Sequence, residues 1–76
     1  MSNDESIVVI TEDCENAVEN VVEMFTREGV SAMVTGFLKN DGKTEVSLTV
    51  TVPQGFDFSP IISKLQKTQE IQSVKM

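Results

Sequence analysis

The side chains best equipped for chemistry lie close together. Glu12, Asp13 and Glu15 surround the only cysteine, Cys14, in the run Thr11-Glu12-Asp13-Cys14-Glu15-Asn16. Two neighbouring carboxylates can serve as general acid and general base when their surroundings separate their pKa values. Here no nearby Ser, Thr or Lys has a base to activate it, because the chain contains no His. The acids therefore read as a solvated start to a helix, where the dipole favours negative charge, and no catalysis is expected. A metal site is not expected either. Glu15, Glu19 and Glu23 recur every fourth residue along one helical face. That spacing attracts cations weakly but does not make the cage of ~6–8 oxygens that calcium requires, and the calcium-loop pattern is absent. Cys14 sits at the expected start of a helix, a place that suits a reactive thiol, yet acids crowd it on both sides. Its position in the apolar stripe of the coming helix makes it a small buried hydrophobe.

Composition narrows the function further. The chain has 76 residues, 12 Asp plus Glu against 6 Lys plus Arg, and no Trp or Tyr. A single domain of this length buries only about 60% of the surface that its unfolded chain exposes. One Cys allows no internal disulfide and no cysteine cluster. The formal net charge of −6 argues against binding to a phosphate backbone, which relies on Lys and Arg. The longest uninterrupted apolar run is Ile7-Val8-Val9-Ile10, far below the ~20 residues of a spanning helix. The polar, acidic start Met1-Ser2-Asn3-Asp4-Glu5 has neither the basic flank nor the apolar stretch of a signal peptide. A cytoplasmic location is expected, with residues 1–5 a flexible tail and residues 6–76 the domain. Charge is shared unevenly: residues 1–38 hold eight acids and one base, whereas residues 39–76 hold four acids and five lysines.

Periodicity supplies the elements that must position these groups. Residues 6–11 are β-branched on both faces, as in a central strand covered on both sides. Asp13 is expected to cap a helix over 14–28, whose stripe comprises Cys14, Ala17, Val18, Val21, Val22 and Phe25. Gly29 supplies a left-handed residue to end it. A strand over 30–39 alternates Val30, Ala32, Val34 and Leu38 against Ser31, Met33, Thr35 and Phe37, with Gly36 marking a bulge or a close approach. Asn40-Asp41-Gly42-Lys43 is a hairpin turn. Residues 44–52 place Val46, Leu48, Val50 and Val52 inward. Pro60 suits the first turn of a helix over 58–69, capped by Asp57 or Ser59, and residues 71–76 form a short last strand. The order β-α-β-β-α-β, with right-handed crossovers, predicts an α+β fold: a ferredoxin-like sandwich. Its four-stranded antiparallel sheet has spatial order 4-1-3-2, with both helices on one face.

That topology leaves one sheet face open. The alternation assigns to it Met33 and Phe37, one apolar pair from the first strand (Ile7 with Val9, or Val8 with Ile10), and Ser47, Thr49 and Thr51. Contiguous exposed apolar area of this kind marks an interface. Met33, Phe37, Thr49 and Thr51 are the candidate contact residues, for self-association or for another protein domain. The second strand is in addition a free sheet edge. RNA-recognition modules share the element order, but they stack bases on several aromatics and carry basic charge. Neither is available here, so no nucleic acid is expected. Heavy-metal-transfer domains carry Cys-x-x-Cys in the first loop, where this chain has Glu12-Asp13-Cys14-Glu15.

Together, Pro53-Gln54-Gly55-Phe56-Asp57, Ile61-Ile62-Ser63-Lys64-Leu65 and Ile71-Gln72-Ser73-Val74-Lys75-Met76 resemble the closing helix and strand of ACT and ACT-like domains. They are similar above all to the cytoplasmic C-terminal domain of MgtC/SapB membrane proteins. The resemblance covers about residues 6–76. It implies a non-enzymatic regulatory or interaction module, reaching a membrane only through a parent protein and tied to magnesium homeostasis. ACT domains that take amino-acid effectors do so at dimer interfaces, at the turn after the first strand. By resemblance that site maps onto Glu12, Asp13, Cys14 and Asn16. The glycine that lets a ligand approach in those domains has no counterpart in this chain, and the local acids repel a carboxylate. Both differences favour the MgtC-like reading over the alternative, an amino-acid effector-binding ACT domain that regulates a metabolic or stringent-response enzyme. No cofactor is implied.

Overall fold

Six elements follow one another: β1 (Ser2–Glu12), α1 (Ala17–Arg27), β2 (Ser31–Asn40), β3 (Lys43–Pro53), α2 (Ser59–Lys67) and β4 (Ile71–Lys75). The structure, a computed structural model, describes residues 1–76. All neighbouring strands are antiparallel, in the order β2-β3-β1-β4. This is the expected ferredoxin-like α+β arrangement.

The inward residues of the central strands meet as cross-strand pairs, Ile7 with Leu48 and Val9 with Val46. They form one cluster with Val21 and Phe25 of α1 and Ile61 and Leu65 of α2. Both helices therefore cover the same face of the sheet. Burying one large aliphatic or aromatic side chain contributes about 1.5–3 kcal/mol, so this cluster is the main source of stability. Two polar side chains enter it, and each finds a partner. The Thr11 hydroxyl donates to the Glu70 carbonyl at 3.1 Å, and the Thr44 hydroxyl donates to Asp13 Oδ1 at 3.3 Å. Met1 is also tied down, its carbonyl accepting the Gln54 N–H at 2.9 Å.

The ends of the elements follow local chemistry. Asp41 and Gly42 both have positive φ, 56° and 77°, as a two-residue type I′ hairpin requires. Gly29, at φ 75°, ends α1 in a Schellman arrangement, with Val30 N–H bonded to the Phe25 carbonyl at 3.0 Å and Gly29 N–H to the Thr26 carbonyl at 2.9 Å. At the start of α2 the Asp57 carboxylate accepts the Ser59 N–H at 3.0 Å, and Pro60 sits in the first turn. Hydrogen bonds from Ser59 backbone and side chain hold the Asp57 pKa below its ordinary value of 3.8.

Three local expectations need correction. Residues 2–5, read as a tail, continue β1: Ser2 pairs with Pro53 and Glu5 with Val50. Their polar sequence carries no alternation, but β3 runs on to Pro53 and offers its backbone as a partner, and Thr51 donates to Asp4 Oδ1 at 2.9 Å. Helix α1 starts at Ala17 instead of residue 14. Asn16, at φ 62°, sits at its N-cap without a side-chain bond. Asp13 does not cap it, because that carboxylate is engaged with the β2–β3 hairpin. Finally, β2 changes face partway along, with consequences for the site.

Candidate functional site

In the β1–α1 loop the backbone is fixed first. Glu12 N–H bonds to the Glu70 carbonyl at 2.8 Å, and Asp13 N–H bonds to the Gly42 carbonyl at 2.9 Å. These two bonds hold the loop between the β4 approach and the hairpin turn. The Asp13 carboxylate then accepts from Thr44 and lies 3.4 Å from Lys39 Nζ. Its lone pairs and charge are thus occupied from the hairpin side. Cys14 and Asn16 follow, both exposed. Cys14 is therefore not part of the buried stripe: the helix begins three residues after it, so the 3.6-residue period does not reach it. The four loop candidates, Glu12, Asp13, Cys14 and Asn16, are neighbours on one rim. Only Cys14 and Asn16 line the adjacent shallow groove of about 330 Å³, with Ala17, Val18, Phe37 and Lys39. Nowhere do three His, Cys, Asp or Glu side chains converge as a ligand set.

The second group of candidates is divided by a β-bulge. Val34 pairs with Leu48, Gly36 with Ser47 and Phe37 with Val46. Thr35 and Gly36 together oppose Ser47, and the Thr35 hydroxyl donates to the Ser47 carbonyl at 3.2 Å. One extra residue reverses the alternation beyond it. Phe37 therefore lies on the helix face, opposite Val46 and beside Val18 of α1, and not on the open face with Met33. Leu38 takes its place on the open face, opposite Glu45. Gly36 marks the bulge in the sequence, and beyond it the alternation of β2 takes the opposite phase.

The open face consists of Met33 and Leu38 from β2, Val8 and Ile10 from β1, and Ser47, Thr49 and Thr51 from β3. Val8 and Ile10 are half-buried by their neighbours, whereas Ile7 and Val9 are wholly buried on the helix face. Thr49 faces Met33 on one side and Ser6 on the other, and Thr51 faces Ser31 and Asp4. Their hydroxyls belong to a polar stretch at one end of that face.

Exposure singles out one element. Apart from the terminal Met1 and Met76, the large apolar side chains left in solvent are Met33 (64% exposed), Phe37 (60%) and Leu38 (61%), all on β2. No family model matches the chain, and a search of curated proteins finds no match.

Proposed function

We propose that the chain is a non-enzymatic, ACT-like regulatory module that works by binding another protein chain through its β2 side. One observation carries this reading: all the exposed large apolar side chains of the interior of the chain lie on one free edge strand. Water-exposed apolar area of this kind favours association, and an unpaired strand adds backbone donors and acceptors to it. The β1–α1 loop supports the same reading, because its central carboxylate is already engaged by Thr44 and Lys39. The resemblance of the sequence to ACT-like domains, and to the cytoplasmic C-terminal domain of MgtC/SapB proteins, suggests where such a module works. It would lie on the cytoplasmic side, as part of a membrane protein concerned with magnesium homeostasis. No helix of this chain is long and apolar enough to cross a membrane, so on this reading any membrane contact comes through the parent.

The competing reading is an amino-acid effector site at Glu12, Asp13, Cys14 and Asn16. Titration of the labelled chain with a panel of amino acids, followed by amide chemical shifts, separates the two. The binding-module reading expects no saturable shift at residues 11–16. A saturable, clustered response there to one amino acid overturns it in favour of the effector domain.

A further inference from the structure

Strand β1 is longer than the strand beside it. On one side it pairs with β3 along its whole length, from Ser2 opposite Pro53 to Glu12 opposite Lys43, without a shift in register. On the other side β4 reaches only to Val8, opposite Lys75. Ser2 to Ile7 therefore form a second free edge of the sheet, in line with the end of β4.

Three hydrogen bonds fix which backbone groups face that edge. The Met1 carbonyl accepts from Gln54 N–H and the Asp13 N–H donates to the Gly42 carbonyl, both on the β3 side. The Glu12 N–H donates to the Glu70 carbonyl, on the β4 side. Backbone groups alternate between the two sides of an antiparallel strand, so the odd-numbered residues of β1 face β3 and the even-numbered ones face away. The N–H and C=O groups of Ser2, Asp4 and Ser6 thus point outward from the sheet, with no backbone partner.

Side chains at this edge carry one sign of charge. Asp4 lies on the open face, and Glu5 lies on the helix face with Ile7 and Val9. Glu5 is half-buried and forms no ion pair. Lys75, opposite Val8, lies on the other face of the sheet from it. A second copy docking here would set these acids against their own kind, and charge on a free edge discourages pairing between identical chains. The same acids suit a cation.

We propose that this half of β1 receives an extended, cationic segment of another protein, which adds antiparallel to β1 in line with β4. Main-chain pairing with Ser2, Asp4 and Ser6 holds the segment, and alternate side chains give it specificity. A Lys or Arg opposite Glu5 meets the unpaired carboxylate on the helix face. This edge is on the opposite side of the sheet from β2, so the proposal stands apart from the β2 reading above.

The test titrates the isotope-labelled full chain with the blocked peptide Lys-Val-Lys-Val-Lys and with its acidic counterpart Glu-Val-Glu-Val-Glu. With the basic peptide, saturable amide shifts and slowed hydrogen exchange are expected at Ser2, Asp4 and Ser6. Smaller changes are expected at Asn3, Glu5 and Ile7, whose amides face β3. The acidic peptide is expected to produce neither. Glu5→Gln is expected to weaken the basic peptide about threefold, and raising the ionic strength from about 0.02 M to 0.2 M is expected to weaken it too. Ser6→Pro removes one outward donor at an edge position, where proline is tolerated. It is expected to abolish saturation while thermal unfolding stays cooperative. No saturable shift at millimolar basic peptide overturns the proposal, as do shifts confined to β2 or an equal response to the acidic peptide. Undiminished binding by both Glu5→Gln and Ser6→Pro also overturns it. A dimer formed without peptide, with the same three amides shifting on dilution, overturns it in favour of a second copy.

Discussion

At the scale of single residues, the side chains in the core and those at the loop rim obey different rules. Phe25 is wholly buried at the junction of α1 with the sheet. Truncating it to Ala leaves a cavity that costs about 3–5 kcal/mol. A domain of this size has a total stability of about 4–11 kcal/mol, so Phe25→Ala is expected to be marginally folded or unfolded at 25 °C, as urea titration would reveal. Asp57 illustrates a polar contribution. Its pKa is lowered in the folded state by the hydrogen bonds from Ser59, so its stabilising effect is present at neutral pH. That effect fades as the pH falls below the ordinary aspartate value through the lowered one. Asp57→Ala is expected to lower Tm at pH 7 and to cost less at pH 2, which thermal unfolding at the two pH values would check. Thr44 makes the link between core and loop. Thr44→Val keeps the shape but removes the hydroxyl that Asp13 accepts, a loss of about 1 kcal/mol, with amide shifts at 12–16 as the companion readout.

At the scale of elements, most of the architecture was legible. Strand β3 alternates without interruption, so its inward set Val46, Leu48, Val50 and Val52 could be read directly. The four-residue apolar run of β1 announced a central strand. Three things were not legible, each for a physical reason. Residues 2–5 join β1 because β3 extends far enough to pair with them, and pairing across strands leaves no mark in the sequence of one strand alone. Cys14 falls outside α1 because Asp13 is drawn to Thr44 and Lys39, contacts made by a hairpin about 30 residues away. In β2, one extra residue at Thr35–Gly36 inverts the faces beyond it. Phe37 shows the consequence: its ring, though largely exposed, lies on the α1 side of the sheet and not on the open face. Val18→Lys, on α1, should therefore perturb the Phe37 ring resonances more than Ile10→Lys on the open face does.

At the scale of the whole molecule, charge and apolar surface are segregated. All eight acids of residues 1–38 lie outside the strand edge that carries Met33, Phe37 and Leu38: seven are on β1, its following loop and α1, and Glu28 adjoins the α1 C-terminus. Two like-charged chains repel through water over distances that salt shortens to about 10 Å at 0.1 M. Association through an uncharged edge is therefore expected to tighten as ionic strength rises from about 0.02 M to 0.2 M, whereas an interface built on ion pairs would weaken. Sedimentation across that range decides the sign.

The sequence by itself determined the order of elements, the core and the acidic character of the first half of the chain. These depend on periodicity and composition, which are properties of contiguous residues. Only the tertiary structure decided which way Phe37 points, what Asp13 binds and where β1 begins. Each of those is settled by a partner brought close from elsewhere in the chain: Ser47 across from the bulge, Thr44 beside the loop and Pro53 at the far end of the ladder.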